Sequence, residues 1–472
     1  MKEKNTGEKR PFGMRDKLGY LFGDFGNDFT FLLSSSFLLK FYTDVMGVSA
    51  AVVGVAMMVA RFVDAFTDVA MGRICDRSRV RAAGKFKPWI LRMSGPVAIS
   101  SFLIYQSAFA GYSMTFKIVW LFVTYILWGS IFYTSINIPY GSMASAISPE
   151  PGDRQSLSTF RSIGGTLAGL IVGAGVPMLA YKDDAFGNLV LDGGRFTAIA
   201  GIFSILAVGC YLLCYLLTTE RVQANGANEA KTKDKYNNVF QMLKNAVKNR
   251  ALISIIAASV FMLLSQLTMQ QMANYVYPNF YGNTAAQSAS TIVMVIAMFL
   301  AAALAKPAAE KFGKAEVSVV ANLLAAAICF LLFVIRPANV WVYVAFISLC
   351  WLGLGMFSMV NWALITDVID YSELKNGIRE DGSVYALYSF ARKLGQAAAA
   401  GASGGLLTWI GYTEETAFDP NVTTGIFNIS TLLPAIGFLL LALILWFWYP
   451  LHKRQVEANV KALKEKHEQE SL

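Results

Sequence analysis

Apolar stretches recur along this chain, about a dozen of them, each near the ~20 residues a helix needs to cross a bilayer. They fall near 18–42, 48–71, 89–109, 115–145, 160–181, 196–218, 251–281, 288–306, 315–335, 338–366, 384–410 and 424–450. Lipid offers no partner for an unsatisfied backbone amide, so stretches of this length must be helices. The expected fold class is an all-α membrane protein with twelve transmembrane helices. Composition agrees: 55% of the chain is hydrophobic and only 15% charged, which suits a polytopic membrane protein and not a single water-soluble core. The net charge of +9 comes from Lys and Arg gathered between the stretches. There it reads as a topology signal, and no nucleic-acid partner is expected.

The segment 219–250 is polar and carries Lys231, Lys233, Lys235, Lys244, Lys248 and Arg250. It divides the chain into two six-helix bundles, 18–218 and 251–450, with residues 1–17 and 451–472 as polar ends. Val239–Val247 within it has amphipathic spacing, which fits a helix on the membrane surface or a solvated linker helix equally. Basic residues alternate between loops. The N-terminus (Lys2, Lys4, Lys9, Arg10, Arg15, Lys17), the 72–88 loop, the 219–250 segment and the tail are rich in them, while Tyr281–Ser288 and Gly411–Thr424 hold none. By the positive-inside rule both termini are cytoplasmic. No apolar core with a small-residue cleavage site follows the basic start, so no cleaved signal peptide is expected. The order acidic–basic recurs after the second stretch (Asp76-Arg77) and after the eighth (Glu310-Lys311), as paired halves of a secondary transporter do.

The charged residues inside the stretches carry the functional information. Ala60-Arg61-Phe62-Val63-Asp64-Ala65-Phe66-Thr67-Asp68 lies within 48–71. Each charge at mid-bilayer depth costs about 2.5–3.5 kcal/mol on insertion scales. Asp64 and Asp68 are four residues apart and share a helix face, with Arg61 one turn earlier. Such a pair is a cation or proton site, or else an ion cluster tying helices together. The first stretch holds Asp24, Asn27 and Asp28. Asp28, the deeper carboxylate, suits a sugar diol, which a carboxylate accepts in bidentate fashion; a salt bridge to Arg61 or Lys393 is the competing reading. In the fourth stretch Thr134 offers a hydroxyl oxygen to a hard cation, Asn137 offers an amide to a sugar, and Pro139 is expected to kink the helix and free carbonyls. Arg161 opens the fifth stretch. Asp367 and Asp370, near the end of the tenth, fit a gate or a solvated cluster. Arg392 suits a substrate carboxylate and Lys393 the aspartates of the first two helices. Cys75, Cys210, Cys214, Cys329 and Cys350 have no metal-ligand spacing, and the only histidines, His452 and His467, lie in the tail. No nucleophile, metal-ligand or phosphate-loop constellation is present, so an enzyme is not expected.

Read together, several motifs resemble the glycoside–pentoside–hexuronide:cation symporter family of the major facilitator superfamily. They are Gly23-Asp24-Phe25-Gly26-Asn27-Asp28-Phe29, Phe41-Tyr42-Thr43-Asp44, the Arg61–Asp68 stretch, Gly84-Lys85-Phe86-Lys87-Pro88-Trp89, Asn137-Ile138-Pro139-Tyr140-Gly141-Ser142, Asp367-Val368-Ile369-Asp370-Tyr371 and Arg392-Lys393-Leu394-Gly395-Gln396. The resemblance covers nearly the whole chain and implies two six-helix bundles around a central cavity, working by alternating access. It implies that Asp64 and Asp68, with Thr134 and Thr67, bind the cation, H⁺ or Na⁺. It implies sugar contacts at Asp28 and Arg161 and a lysine facing the cation site at Lys393; Asn137, Tyr133, Arg392 and Lys393 are further expected substrate contacts, and Arg61, Asp76, Arg77, Asp367 and Asp370 the expected gating charge network. Where the melibiose branch has an aspartate, a tryptophan and an asparagine, this chain has Asn137, Gly141 and Thr67, so the glucuronide and pentoside branches are closer. The expected function is cation-coupled symport of a hexuronide or a pentoside. A melibiose-like galactoside symporter and a lipid carrier of the same superfamily are the rivals. No cofactor and no metal beyond a Na⁺ are expected. The expected setting is the cell's inner or plasma membrane, with the bilayer, the coupling cation and a small glycoside as partners and the monomer as the working unit.

Overall fold

The computed structural model describes residues 10–78, 80–81, 83–222, 249–376 and 381–470. The amphipathic segment Val239–Val247 lies outside them. The helices, in chain order, are α1 (Met14–Asp44), α2 (Ala50–Arg77), α3 (Lys87–Ile104), α4 (Met114–Ile147), α5 (Pro151–Leu179) and α6 (Gly193–Leu217). They continue with α7 (Arg250–Phe280), α8 (Thr284–Phe312), α9 (Lys314–Ile335), α10 (Val340–Asn376), α11 (Asp381–Trp409), α12 (Pro420–Trp448) and the tail helix α13 (Lys453–Glu470). A short antiparallel hairpin, β1 (Tyr181–Asp183) and β2 (Leu189–Leu191), joins α5 to α6. At its turn the backbone N–H of Asn188 holds the Asp184 carboxyl below the usual carboxylate range.

Among the described residues, nine helices are long and apolar enough to cross a membrane. α1, α3 and α11 fall outside that set; α1 and α11 carry several charged residues, and α3 holds Lys87, Arg92, two prolines and several polar residues. Local signals set the ends. The Asn249 side chain caps α7 by accepting the N–H groups of Ala251 at 3.1 Å and Leu252 at 3.3 Å, and Asp192 caps α6 through Arg195 N–H at 3.0 Å. Gly313 turns the chain between α8 and α9 at φ 103°, a left-handed-side conformation that glycine tolerates best.

Two expectations need correction. α5 begins at Pro151, which suits a first helical position, so Arg161 lies well inside the helix and does not open it. α10 runs through to Asn376, ten residues past the expected end at 366, so Asp367 and Asp370 lie within the helix. Pro139 lies inside α4, and a π-helical stretch at Leu127–Tyr133 precedes it. A π segment inserts an extra residue into a turn and is frequent at functional positions.

By mutual packing the residues form two compact units. The first draws on Met1–Val48, Val59–Tyr181 and Leu191–Ala230, the second on Ser49–Met58, Lys182–Val190 and Lys231–Leu472. In the first, α1 packs between α5 and α6, and α3 lies on α6 and α4. In the second, α10 packs on α8 and α9, and α12 packs on α7 and α9. All five cysteines are free and buried, as small apolar fillers.

Candidate functional site

The first unit holds two polar clusters within its helices. One joins α2 to α4. Arg61 Nη1 donates to Asp64 Oδ2 at 3.0 Å, its Nη2 donates to the Tyr125 hydroxyl at 3.2 Å, and its guanidinium lies over the Phe31 ring at 5.4 Å. The other oxygen of Asp64 accepts from Ser130 Oγ at 2.5 Å. One turn on, Asp68 Oδ1 accepts from Thr134 Oγ1 at 2.9 Å. The carboxylates are four residues apart on α2 and the hydroxyls four apart on α4, so they meet rung for rung. The geometry gathers carboxylate and hydroxyl oxygens, the donor set a hard cation prefers. Thr67 does not join them: its hydroxyl donates back into α2, to Val63 O at 3.2 Å or Asp64 O at 3.3 Å. Tyr133 stacks on Phe31 at 5.7 Å between centroids, so it packs beside Arg61.

The second cluster joins α1, α4, α5 and α6. Arg161 Nε pairs with Asp24 Oδ1 at 2.9 Å, and its guanidinium lies over Tyr140 at 5.3 Å. The arginine thus goes to the shallower carboxylate. Asp28 pairs with neither Arg61 nor Arg161 and accepts no hydrogen bond from the described residues. Both carboxylates lean on Gly165, where a Cβ would stand 2.7 Å from Asp28 Oδ2 and 3.0 Å from Asp24 Oδ2. That glycine clears the space they occupy, which goes beyond helix packing. Asn137 accepts from Asn27 Nδ2 at 3.4 Å, and Asn27 in turn accepts from the Tyr211 hydroxyl at 2.9 Å. Asp28, Asn137 and Arg161 therefore belong to one region, reached from four helices.

The second unit has its own polar centre. Asn361 donates to the Tyr388 hydroxyl in a short contact, and Ser259 Oγ lies 3.4 Å from both. Trp362 meets Tyr388 edge-on at 5.2 Å and carries the Arg392 guanidinium over its ring at 5.8 Å. Lys393 is half-buried on the same helix. Asp367 is held by Lys314 Nζ at 2.7 and 2.8 Å from its two oxygens. Asp370 is half-buried one turn on in α10, while Asp76 and Arg77 are exposed at the end of α2.

Sequence reasoning did not single out Ser130, Tyr125 or Tyr211. Ser130 carried one signal: it precedes Thr134 by the same four residues that separate Asp64 from Asp68.

The comparisons agree on the kind of molecule. The family described as MFS/sugar transport protein matches residues 19–453. A symporter of Bacillus subtilis named as uncharacterized is 31% identical over 460 residues, covering 97% of both chains. The glucuronide carrier protein homolog of Escherichia coli is 30% identical over 455 residues, covering 94% of both. Among solved structures, the D-xylose–proton symporter superposes with a TM-score of 0.65 at 16% identity, covering 93% of this chain and 97% of that one. That likeness shows the major facilitator fold. The chain is a multi-pass membrane protein, of the inner membrane in a bacterium, and it belongs to the sugar transporters of the major facilitator superfamily, not to the enzymes.

Proposed function

We propose that this carrier moves an anionic sugar, a hexuronide or glucuronide, together with a cation by alternating access. The observation that carries the cation half is the pair of carboxylates on α2, each met by a hydroxyl from α4. Carboxylates within a membrane span mark ion pathways. A cation at Asp64 and Asp68, with Thr134 as an oxygen ligand, offsets charge that is costly to carry through the bilayer. The loaded or the empty carrier then reorients readily, and a half-loaded one does not.

The sugar half rests on Asp28, Asn137 and Arg161. Asp28 is a hydroxyl acceptor that no described side chain uses, and Arg161 is a partly exposed guanidinium. The anionic preference draws support from the glucuronide-carrier relative and from Arg392 on its Trp362 platform. A guanidinium over an aromatic face presents its N–H edge to a carboxylate. Twelve crossings in two halves, 18–218 and 251–450, with both termini cytoplasmic and a monomer as the working unit, complete the reading. It calls on no cofactor beyond the coupling ion.

Uptake into right-side-out vesicles tests it, with labelled phenyl β-glucuronide and a β-xyloside under an imposed Na⁺ or H⁺ gradient. Gradient-driven accumulation of the glucuronide supports the proposal and names the ion. Accumulation of the xyloside alone replaces the hexuronide with a neutral pentoside, and accumulation of neither under both gradients overturns the sugar reading.

A further inference from the structure

Ser130 is 1% exposed, and its hydroxyl reaches across from α4 to Asp64 Oδ1 at 2.5 Å. Arg61 holds the other oxygen at 3.0 Å. A carboxylate gripped at both oxygens by donors from two directions has its plane and its aim fixed.

The backbone of α4 is shaped for this contact. Ser130 sits within the π-helical stretch Leu127–Tyr133. The stretch closes at Thr134, whose N–H reaches Gly129 O five residues back and whose hydroxyl lies 3.2 Å from the same carbonyl. The wide turn and the cation-facing threonine are thus one piece of local structure. A one-residue change of register would move either hydroxyl about 100° round the helix, off its carboxylate.

We propose that Ser130 is a positioning residue of the coupling step, acting through Asp64. Before a cation binds it holds Asp64 Oδ1. The cation then approaches a remaining lone pair of the carboxylate whose aim is already set, and the serine hydrogen bond persists through binding. The inference rests on the cation-symport reading above. A merely structural hydrogen bond would weaken the fold and disturb sugar and cation alike, whereas a positioning role touches the cation step alone.

The test uses the full-length carrier in proteoliposomes, wild type beside Ser130→Ala and Ser130→Thr. Three quantities are read: the Na⁺ or H⁺ concentration giving half-maximal uptake, the sugar KM at saturating cation, and the melting temperature. Ser130→Ala is expected to raise the half-saturating cation concentration about tenfold, the usual weight of one hydrogen bond to a charged group. Sugar KM and melting temperature stay near wild type, and Ser130→Thr restores cation affinity. Unchanged cation dependence in Ser130→Ala, or a parallel rise in sugar KM, overturns the role. If the alanine variant does not accumulate, Ser130→Cys keeps the volume with a far weaker donor and carries the same expectation. A wild type indifferent to both cations sinks the symport reading and this role together. A coupled wild type with an unaltered variant sinks this role alone.

Discussion

Arg161 pairs with Asp24, not with the deeper Asp28, at 2.9 Å from Nε to Oδ1. Asp24 is 9% exposed, so its charge depends on that partner. Removing one member of a fully buried pair costs about 3–5 kcal/mol. Arg161 is 41% exposed, and water takes over part of its work, so about 2 kcal/mol is expected for Arg161→Ala after that discount. The double variant Arg161→Ala/Asp24→Asn should recover most of the stability while leaving sugar uptake low. Thermal unfolding in detergent, read beside uptake, separates the two effects. Full recovery of uptake in the double variant would place the pair outside the sugar site.

Gly165→Ala puts a methyl group 2.7 Å from Asp28 Oδ2, closer than a Cβ tolerates. Either carboxylate must move. A displacement of that size in a binding group commonly costs tenfold or more, so sugar KM is expected to rise by about that factor with expression retained. Gly175→Ala in the same helix meets nothing within 4 Å and should behave as wild type. Gly164→Ala would press on the Leu21 carbonyl at 2.5 Å, where backbone cannot yield, and should impair folding. Equal KM values for the alanines at 165 and 175 would refute the cradle.

Much of this was legible from side-chain type against hydropathy. Arg61, Asp64 and Asp68 stand out because lipid penalises them, and a spacing of four puts the aspartates on one face. The partners of those charges were not legible. Whether Arg161 meets Asp24 or Asp28 depends on how α5 lies along α1, and Gly164 and Gly165 set that approach. Ser130 offered only its spacing of four from Thr134, because its contact with Asp64 is made from the π-helical turn, which hydropathy does not encode. Thr67 shows the reverse: near the carboxylates in sequence, it spends its hydroxyl on its own helix. The tenth stretch ends at 366 in hydropathy because the charged residues beyond it break the apolar run. Helix continues through them, with Asp367 tied to Lys314.

Asp367 and Lys314 both lie in the second unit, so their ion pair braces that unit internally. A brace of this kind need not open during transport. Lys314→Ala should therefore lower stability without changing sugar KM. The Lys314 side chain is 33% exposed, which discounts the loss to about 1–2 kcal/mol. Asp367→Asn in the same chain should return part of it. A changed KM with an unchanged melting temperature would make the pair a gate.

Glu220 bears on the loop between α2 and α3. Its carboxylate accepts three successive backbone N–H groups, from Lys85 at 2.6 Å, Phe86 at 2.9 Å and Lys87 at 2.7 Å. Those groups open α3, where unpaired donors and the positive end of the helix dipole favour an anion. Gly84 comes just before, at φ 117°, and a Cβ there would collide with the Glu220 carboxyl. The glycine therefore serves the turn and the cap together. Glu220→Ala leaves buried donors without an acceptor, and a loss of about 3 kcal/mol is expected from the weight of hydrogen bonds to a charged group. Glu220→Gln keeps one carbonyl oxygen and should lose less. Gly84→Ala should resemble the alanine variant at 220, since it displaces the same carboxylate. Melting curves of the three, with expression level as a control, decide the matter. If Glu220→Ala melts with the wild type, water satisfies those N–H groups, and the loop is held instead by Lys87 Nζ donating to Thr218 O at 2.6 Å.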